Sequence, residues 1–508
     1  MVINKIKSLD SIENIIKLEK SKNKKIVLCH GVFDLVHYGH ILHFNSAKKL
    51  GDILIVSVTP STYIEKGTGR PYYNDTQRLN FLANLSMIDY VVLNSGNNAL
   101  DIISKTKPHF YCKGADYKNI KNDITGEIKR EINQVKKYNG KIRITDEVTF
   151  SSSKILNNLG NILDKEQLFF LKKLKKNFNK TKIQNFFNKL KKLDVLIVGE
   201  IIIDKYIFNE SIGKSGKEHY LVTREINKEL YLGGSGAIAN HLSDFCKKVT
   251  LISSIGEKKE YIKFIKNKIS KNISLKLIKK KNSPTIEKTR YIDIVSNAKL
   301  LGIHNLNDQT ISRDEENKII NFLNENIKKN KPVIVSDYGH GLITNKMAKL
   351  ICKKSSFLAL NSQLNAFNTA HHSINKYKKI DFLIINESEL RHEMRDKFSR
   401  VEILIKKLSK SLNIKQIVVT RGRNGSIHFS GKKNKFIYCP AFASKVVDKV
   451  GAGDAMLSIM SILISEGLDV EMSMFFGALA AAQNVETISN SKIINKTKLL
   501  KYAMHMLQ

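Results

Sequence analysis

From Lys24 to about Gly160 the chain alternates short β-rich runs with stretches whose apolar positions recur at helical spacing. The runs IVLCHG, ILIVSV, YVVL, FYCKG and KIRIT are each followed by a segment of helix length. That rhythm predicts a parallel α/β sheet. A second series opens at VLIVGEIII and continues through VTLISSIG, PVIVSDYG, FLALNS, FLIIN and QIVVTRG, again with helical segments between, and no internal repeat is evident. Between the two series, LKKLKKNFNKTKIQNFFNKLKKL keeps Leu and Phe at helical spacing amid dense lysine and carries no β signal. The segment 161–192 therefore reads as a helical connector between domains spanning 1–160 and 193–508. It is either an amphipathic helix packed on a neighbouring domain, its lysines solvated, or a helix that binds a partner.

Composition narrows the class of protein. At 508 residues and 42% hydrophobic, the chain is long enough for two or three domains with sizeable cores. Its 85 Lys+Arg against 47 Asp+Glu give a formal charge of +38, which suits nucleic acid, an anionic membrane surface or polyanionic substrates such as nucleotides. The lysines are scattered through nearly every helical stretch together with Asn and Ile, and no basic-aromatic module accompanies them, so no specific nucleic-acid partner is expected. Cys29, Cys112, Cys246, Cys352 and Cys439 form no CxxC pair, which speaks against a zinc knuckle or a disulfide framework and fits a reducing compartment. The N-terminal stretch lacks a signal-peptide apolar run, and the apolar segment near Ala455 to Ile464 is too short to span a bilayer. A soluble cytoplasmic protein without a membrane partner is expected.

The first concentration of chemistry is IVLCHGVFDLVHYGHILHF, a strand, a glycine-marked turn and a helix starting near Gly39, with His37 and His40 beside the helix start. Free N–H groups and the helix dipole there favour anions, and imidazoles add hydrogen bonds or positive charge, which is what attack on an α-phosphate needs. A metal site built from His30, His37, His40 and His43 lacks the helical H-x-x-x-H pair with a carboxylate. Gly31, Phe33, Asp34, His37, Gly39 and His40 match G-x-F-D-x-x-H-x-G-H, and the segment resembles the cytidylyltransferase-like branch of the nucleotidylyltransferases. The resemblance extends through RPYYNDTQRLNFL, YCKGADY and TFSSSKIL over roughly 24–160, where the chain looks like a sugar-phosphate adenylyltransferase. It implies His37 and His40 as catalytic groups and Gly31, Phe33, Asp34, Gly39, Lys113, Ser151, Ser152 and Ser153 as contacts to nucleotide phosphates or ribose. The three serines serve equally well as helix caps, and Arg78 is a weaker candidate in a chain rich in arginine and lysine.

The second concentration is VVDKVGAGDAMLSIMSIL, where glycines bracket a helix start and Asp454 stands on its first turn. A carboxylate beside free N–H groups supplies a general base for an attacking hydroxyl and donors for a transferring phosphate, here from Gly451, Ala452 and Gly453. Together with the glycine pair of YLGGSGAIANHL, about 210 residues upstream, it resembles the paired signatures of the ribokinase family, over roughly 193–495. The resemblance implies a ribokinase-like α/β domain with a small β lid. In it Asp204, Gly233, Gly234 and Asn240 would line the sugar site, Asn386 and Glu389 would support magnesium and phosphates, and Thr420, Gly422 and Gly425 would approach the nucleotide. Asp337 lies in a further resembling stretch, SDYGHG.

The implied fold is thus α/β throughout, a Rossmann-like nucleotidylyltransferase domain followed by a ribokinase-like kinase domain. The pairing is similar to the bifunctional heptose kinase/adenylyltransferase family, in which the kinase comes first. Here the order is reversed, Lys449 and Val450 replace the threonines usual before GAGD, and LNSQLNAFN stands where a D-x-K-G-like segment is expected. The expected partners are a nucleoside triphosphate and a phosphorylated sugar, with Mg2+ carried mainly by ATP, or by CTP at the transferase site, and no dedicated protein metal cage. ADP-heptose synthesis is the first reading. A CTP-dependent transferase for a polyol or alcohol phosphate, and a transferase fused to a non-catalytic sugar-binding module, stand as alternatives. The ribokinase resemblance also makes a homodimer an expectation.

Overall fold

The computed structural model describes residues 5–64, 70–114, 126–145, 163–369 and 372–507. The chain divides into two compact units, one made of residues up to 165 joined by 500–508, the other of 166–499.

In the first unit a six-stranded sheet runs in the order Ile6–Lys7, Tyr90–Leu93, Ile53–Val58, Ile26–Gly31, Phe110–Lys113, Lys141–Ile144, every neighbouring pair parallel. Alternate residues of one strand face opposite sides. Val27, Cys29, Leu54 and Val56 pack with Phe44 and Leu82 on one side. Ile26, Leu28, Ile53 and Ile55 pack with Ile12, Ile102 and Val135 on the other. Covered on both faces, these strands read as unbroken apolar runs. The strand Ile26–Gly31 lies between one neighbour that follows it directly and one that comes three strands later, so the sheet changes direction at its C-terminal end, where open α/β sheets bind ligands.

The second unit has a nine-stranded sheet in the order Ile273–Lys280, Lys248–Gly256, Asp194–Gly199, Val333–Asp337, Leu358–Ser362, Ile380–Asn386, Ile414–Thr420, Ser426–Ser430, Lys435–Cys439. The last two strands are antiparallel. The run VLIVGEIII, expected as one strand, is two. Asp194–Gly199 belongs to this sheet, whereas Ile201–Lys214 joins a separate four-stranded lid of order Lys299–Asn305, Glu287–Asp293, Ile201–Lys214, Leu221–Gly234. Glu200 stands at the break, fully buried and bonded to the turn after Asp337. The helix Ala452–Ser465 is buried at every position from Ala455 to Ile464, so its apolar run is a core helix. Among the described residues no helix is long and apolar enough to cross a membrane.

The lysine-rich connector forms helices Lys165–Lys176 and Lys180–Leu190, and nearly all of it groups with the second unit. Phe170 packs on Phe442 and Phe475 at ring-centroid distances of 6.3 and 6.5 Å, and Phe187 on Phe476 at 4.8 Å. Buried Phe170, Leu171, Leu174, Ile183, Phe187 and Leu190 account for the helical spacing of the apolar positions.

Two candidate active sites

In the first unit the helix Tyr38–Lys48 starts beyond the end of Ile26–Gly31, with His37 in the capping position. The His37 N–H donates to His40 Nδ1 at 3.3 Å, and the two rings lie with centroids 4.0 Å apart, tilted by 33°. Gly39 lies between them in the first turn, so His37 and His40 come together as the motif implies. Gly31 and Phe33 act differently from expectation. Phe33 adopts a positive φ of 48° and is 7% exposed; a Cβ on Gly31 would come within 3.0 Å of its ring. The ring lies 5.4 Å from His40 and 5.3 Å from Phe44. Glycine makes room for a core phenylalanine that backs the histidine, and Phe33 is not presented to a nucleotide.

Asp34 and Lys113 are likewise engaged within the protein. Asp34, 3% exposed, accepts from Arg70 Nη1 at 3.1 Å and from the N–H groups of Tyr72 and Tyr73 at 2.7 and 3.1 Å. It fixes the 70–73 loop instead of reaching for phosphate, which its negative charge would repel. The Lys113 ammonium pairs with Glu131 at 3.2 Å in a buried network completed by the Tyr111 hydroxyl. Glu131 is held below the usual carboxylate range: burial pushes it up, but Lys113 and His30 outweigh that. His30 is a core histidine between Ser57 and Thr59, pushed down to about 3 by burial and then by Lys113. Arg78, only weakly indicated by sequence, is 1% exposed and donates to the carbonyls of Val32 and Thr59 at 2.6 and 2.9 Å, anchoring the turn that leads to the histidines. Ser151, Ser152 and Ser153 lie outside the described residues.

In the second unit Gly451, at φ 88°, starts the helix Ala452–Ser465, which receives no side-chain cap and so keeps N–H donors for an anion. Gly453 has open space where a Cβ would stand, whereas at Gly451 a Cβ would strike Asn490. Asp454 accepts a hydrogen bond from the Tyr338 hydroxyl at 2.7 Å. Burial raises its carboxyl to about 7; Tyr338 lowers it, Asp204 raises it and Lys288 lowers it. Asp204, on the lid strand Ile201–Lys214, is bound by Arg290 Nη1 at 2.6 Å and lies against Gly233, where a Cβ would overlap its carboxylate. Gly234 has a positive φ and comes up against the Glu200 carbonyl.

Asn386 caps the helix Glu387–Met394, exchanging bonds of 2.8 Å with Glu389 in a capping box. Burial, and more weakly Asp454, raise Glu389 to about 7. Thr420 pairs in register with Asn386 across the sheet. Gly422 faces open space, but a Cβ on Gly425 would meet the Cys439 carbonyl, so Gly425 serves chain packing. Asn240 departs from its expected role. Its amide donates to the Lys268 carbonyl at 2.9 Å and accepts from the Ser270 N–H at 3.0 Å, tying its helix to the C-terminal end of the helix Ile262–Lys268 and the turn after it. Sequence reasoning missed Lys288, Arg290 and Tyr338. The two cations alternate along a lid strand, a pattern invisible among 85 Lys+Arg.

A carboxylate on a helix start under a four-stranded lid, facing the turn after the inner strand Val333–Asp337 of an α/β sheet, defines the class of sugar kinases with a ribokinase-like fold. The model of the pfkB family carbohydrate kinases matches residues 192–496, and the chain belongs to that family. A second model, cytidylyltransferase-like, matches residues 28–158, ahead of the kinase. Among curated relatives, a Bifunctional protein HldE from Nitratiruptor sp. is 28% identical over 56% of this chain and 60% of its own length. One from Pelobacter propionicus is 34% identical over 31% of this chain and 30% of its own. The matched part is thus less than two thirds of these relatives. Phosphofructokinase-2 from Escherichia coli, in complex with substrates and products, has the fold of the second unit at a TM-score of 0.51 and 16% identity, covering 62% of this chain and 100% of that one.

Proposed function

We propose that the second unit transfers the γ-phosphoryl group of MgATP to a hydroxyl of a sugar or sugar phosphate. The first unit then joins a nucleotidyl group to a sugar 1-phosphate and releases pyrophosphate. The observation that carries this reading is Asp454: a half-buried carboxylate at an uncapped helix start, with a Tyr338 donor on one oxygen and the lid's Asp204 and Lys288 beside it. As general base it takes the proton of the attacking hydroxyl, while the N–H groups of the helix start receive charge developing on the phosphoryl oxygens. The uncharged face at Gly453 lets the phosphates approach the backbone. In the first unit the adjacent His37 and His40 stand where the α-phosphate of a triphosphate would meet the helix start, and their donors stabilise the pentacoordinate charge.

Heptose phosphates with ATP are the substrates we favour, with both catalytic domains in a soluble chain. The test is a paired assay on the full chain: ADP release from MgATP with a panel of sugars and sugar phosphates, and pyrophosphate release from ATP or CTP with a panel of sugar 1-phosphates. Pyrophosphate from ATP with heptose 1-phosphate supports ADP-heptose synthesis. Release confined to CTP and an alcohol phosphate replaces that substrate pair. ADP release that survives Asp454→Asn removes Asp454 as the base.

A further inference from the structure

Tyr338 is fixed along its whole length. Its N–H donates to Glu200 Oε2 at 3.1 Å, and its carbonyl accepts from the side-chain amides of Asn365 and Asn368 at 2.8 and 2.9 Å. The Lys288 ammonium lies 5.7 Å from its ring centroid, and its hydroxyl reaches Asp454 Oδ1. The residue is 3% exposed. The turn that follows is equally constrained: His340 N–H donates to the other Glu200 oxygen at 3.1 Å, and a Cβ on Gly339, at φ 69°, would collide with the Asn368 amide. Asn365 and Asn368 belong to LNSQLNAFN, the segment that departs from the family pattern and that the phosphoryl-transfer chemistry leaves without a task.

A carboxylate can turn about its last side-chain bond, and only one orientation offers an oxygen to the attacking hydroxyl. A donor locked onto Oδ1 selects that orientation and leaves Oδ2 for the acceptor. We propose that Tyr338 is a positioning residue of the kinase site, aiming Asp454 through its hydroxyl, and that Glu200, Asn365 and Asn368 exist in this chain to hold Tyr338. This rests on the reading of Asp454 as general base. The groups facing Asp454 come from four elements: Tyr338 from the turn after Val333–Asp337, Asp204 from Ile201–Lys214, Lys288 from Glu287–Asp293 and Glu389 from Glu387–Met394. Of these the two carboxylates oppose ionisation and the lysine and the hydroxyl favour it, so deleting the hydroxyl raises the midpoint.

The decisive variant is Tyr338→Phe in the full chain, which removes a single oxygen and preserves the packing of the ring. Carboxylate 13C NMR with labelled aspartate, the Asp454 resonance identified by its loss in Asp454→Asn, reads the bond without any substrate. The midpoint of Asp454 moves upward in Tyr338→Phe, and in the same direction by less in Asn365→Ala. ADP release from MgATP with heptose 7-phosphate then reads the consequence: about a tenfold or greater fall in kcat at neutral pH, an acid limb displaced to higher pH, and a KM for the acceptor changed less than twofold. A Tyr338→Phe chain whose Asp454 midpoint and acid limb coincide with those of the parent overturns the inference alone. If Asp454→Asn releases ADP as fast as the parent, the base assignment falls, and the positioning role falls with it.

Discussion

Burial dominates the chemistry of the single residues. Asp454 titrates at about 7 in the folded protein, against an ordinary value of 3.8. A base must be ionised to work, so acceptor-dependent ADP release falls as the pH drops below about 7, and Asp454→Asn lowers kcat by about 10²- to 10⁴-fold above that pH, a ratio that narrows as the parent's Asp454 takes up its proton at lower pH. The same shift has a consequence for stability. A raised folded value means that the native state holds the proton more tightly than the unfolded chain, so this contribution is fully present below pH 3.8 and is lost as the pH rises through about 7. Asp454→Asn should therefore raise the Tm of the second unit more at pH 8 than at pH 5, which calorimetry at the two values checks. Asp34 works by pairing. With the Asp34 and Arg70 side chains 1% and 4% exposed, Asp34→Ala removes the buried carboxylate that Arg70 pairs with and that accepts from the N–H groups of Tyr72 and Tyr73. A cost of about 3–5 kcal/mol is expected in urea unfolding, with pyrophosphate release lost through the 70–73 loop and not through lost phosphate affinity.

At the level of elements, the connector helices make a distinct prediction. Phe170 is 6% exposed and packed on Phe442 and Phe475, so Phe170→Ala destabilises the second unit by about 3–5 kcal/mol, measured by urea unfolding followed through loss of ADP release. Had this segment been a partner-binding helix, the substitution would leave stability unchanged. The central strands were legible because they are covered on both faces: IVLCHG, ILIVSV and YVVL coincide with strands Ile26–Gly31, Ile53–Val58 and Tyr90–Leu93. The lid strands were not visible as strands. Lys299–Asn305 is largely exposed and Leu221–Gly234 mixes Arg, Lys and Glu with Ile and Leu, so neither carries a buried run. The break at Glu200 was hidden because isoleucines continue on both sides of it while the chain passes from one sheet to another. The sites show the same division. Motif spacing singled out Asp454 and the histidine pair as candidates because each lies on one contiguous segment with its glycines. It assigned ligand roles to Phe33, Asp34 and Asn240, whose partners Phe44, Arg70 and Ser270 are distant enough in sequence that only the fold reveals them. Tyr338 was beyond reach for the same reason, 116 residues from Asp454.

At the scale of the whole chain, each unit closes its own core and holds its own candidate site. The apolar clusters of the first unit draw on residues between Ile6 and Ile142, and the large cluster of the second on residues between Leu196 and Phe436. The groups that set the ionisation of Asp454 come from the second unit, and His37 and Phe33, which contact His40, come from the first. A substitution that alters one set leaves the other's contacts in place, and effects of sites without shared partners add. The two half-reactions are therefore expected to be separable: His37→Ala abolishes pyrophosphate release and keeps ADP release within twofold, while Asp454→Asn does the reverse, and the double variant equals the product of the two. Measuring both products from one preparation of each variant decides it. A loss of both activities in either single variant would mean that the sites share a conformational equilibrium, because neither side chain takes part in the other unit's core, and a common structural collapse would then appear as a lowered Tm in both units.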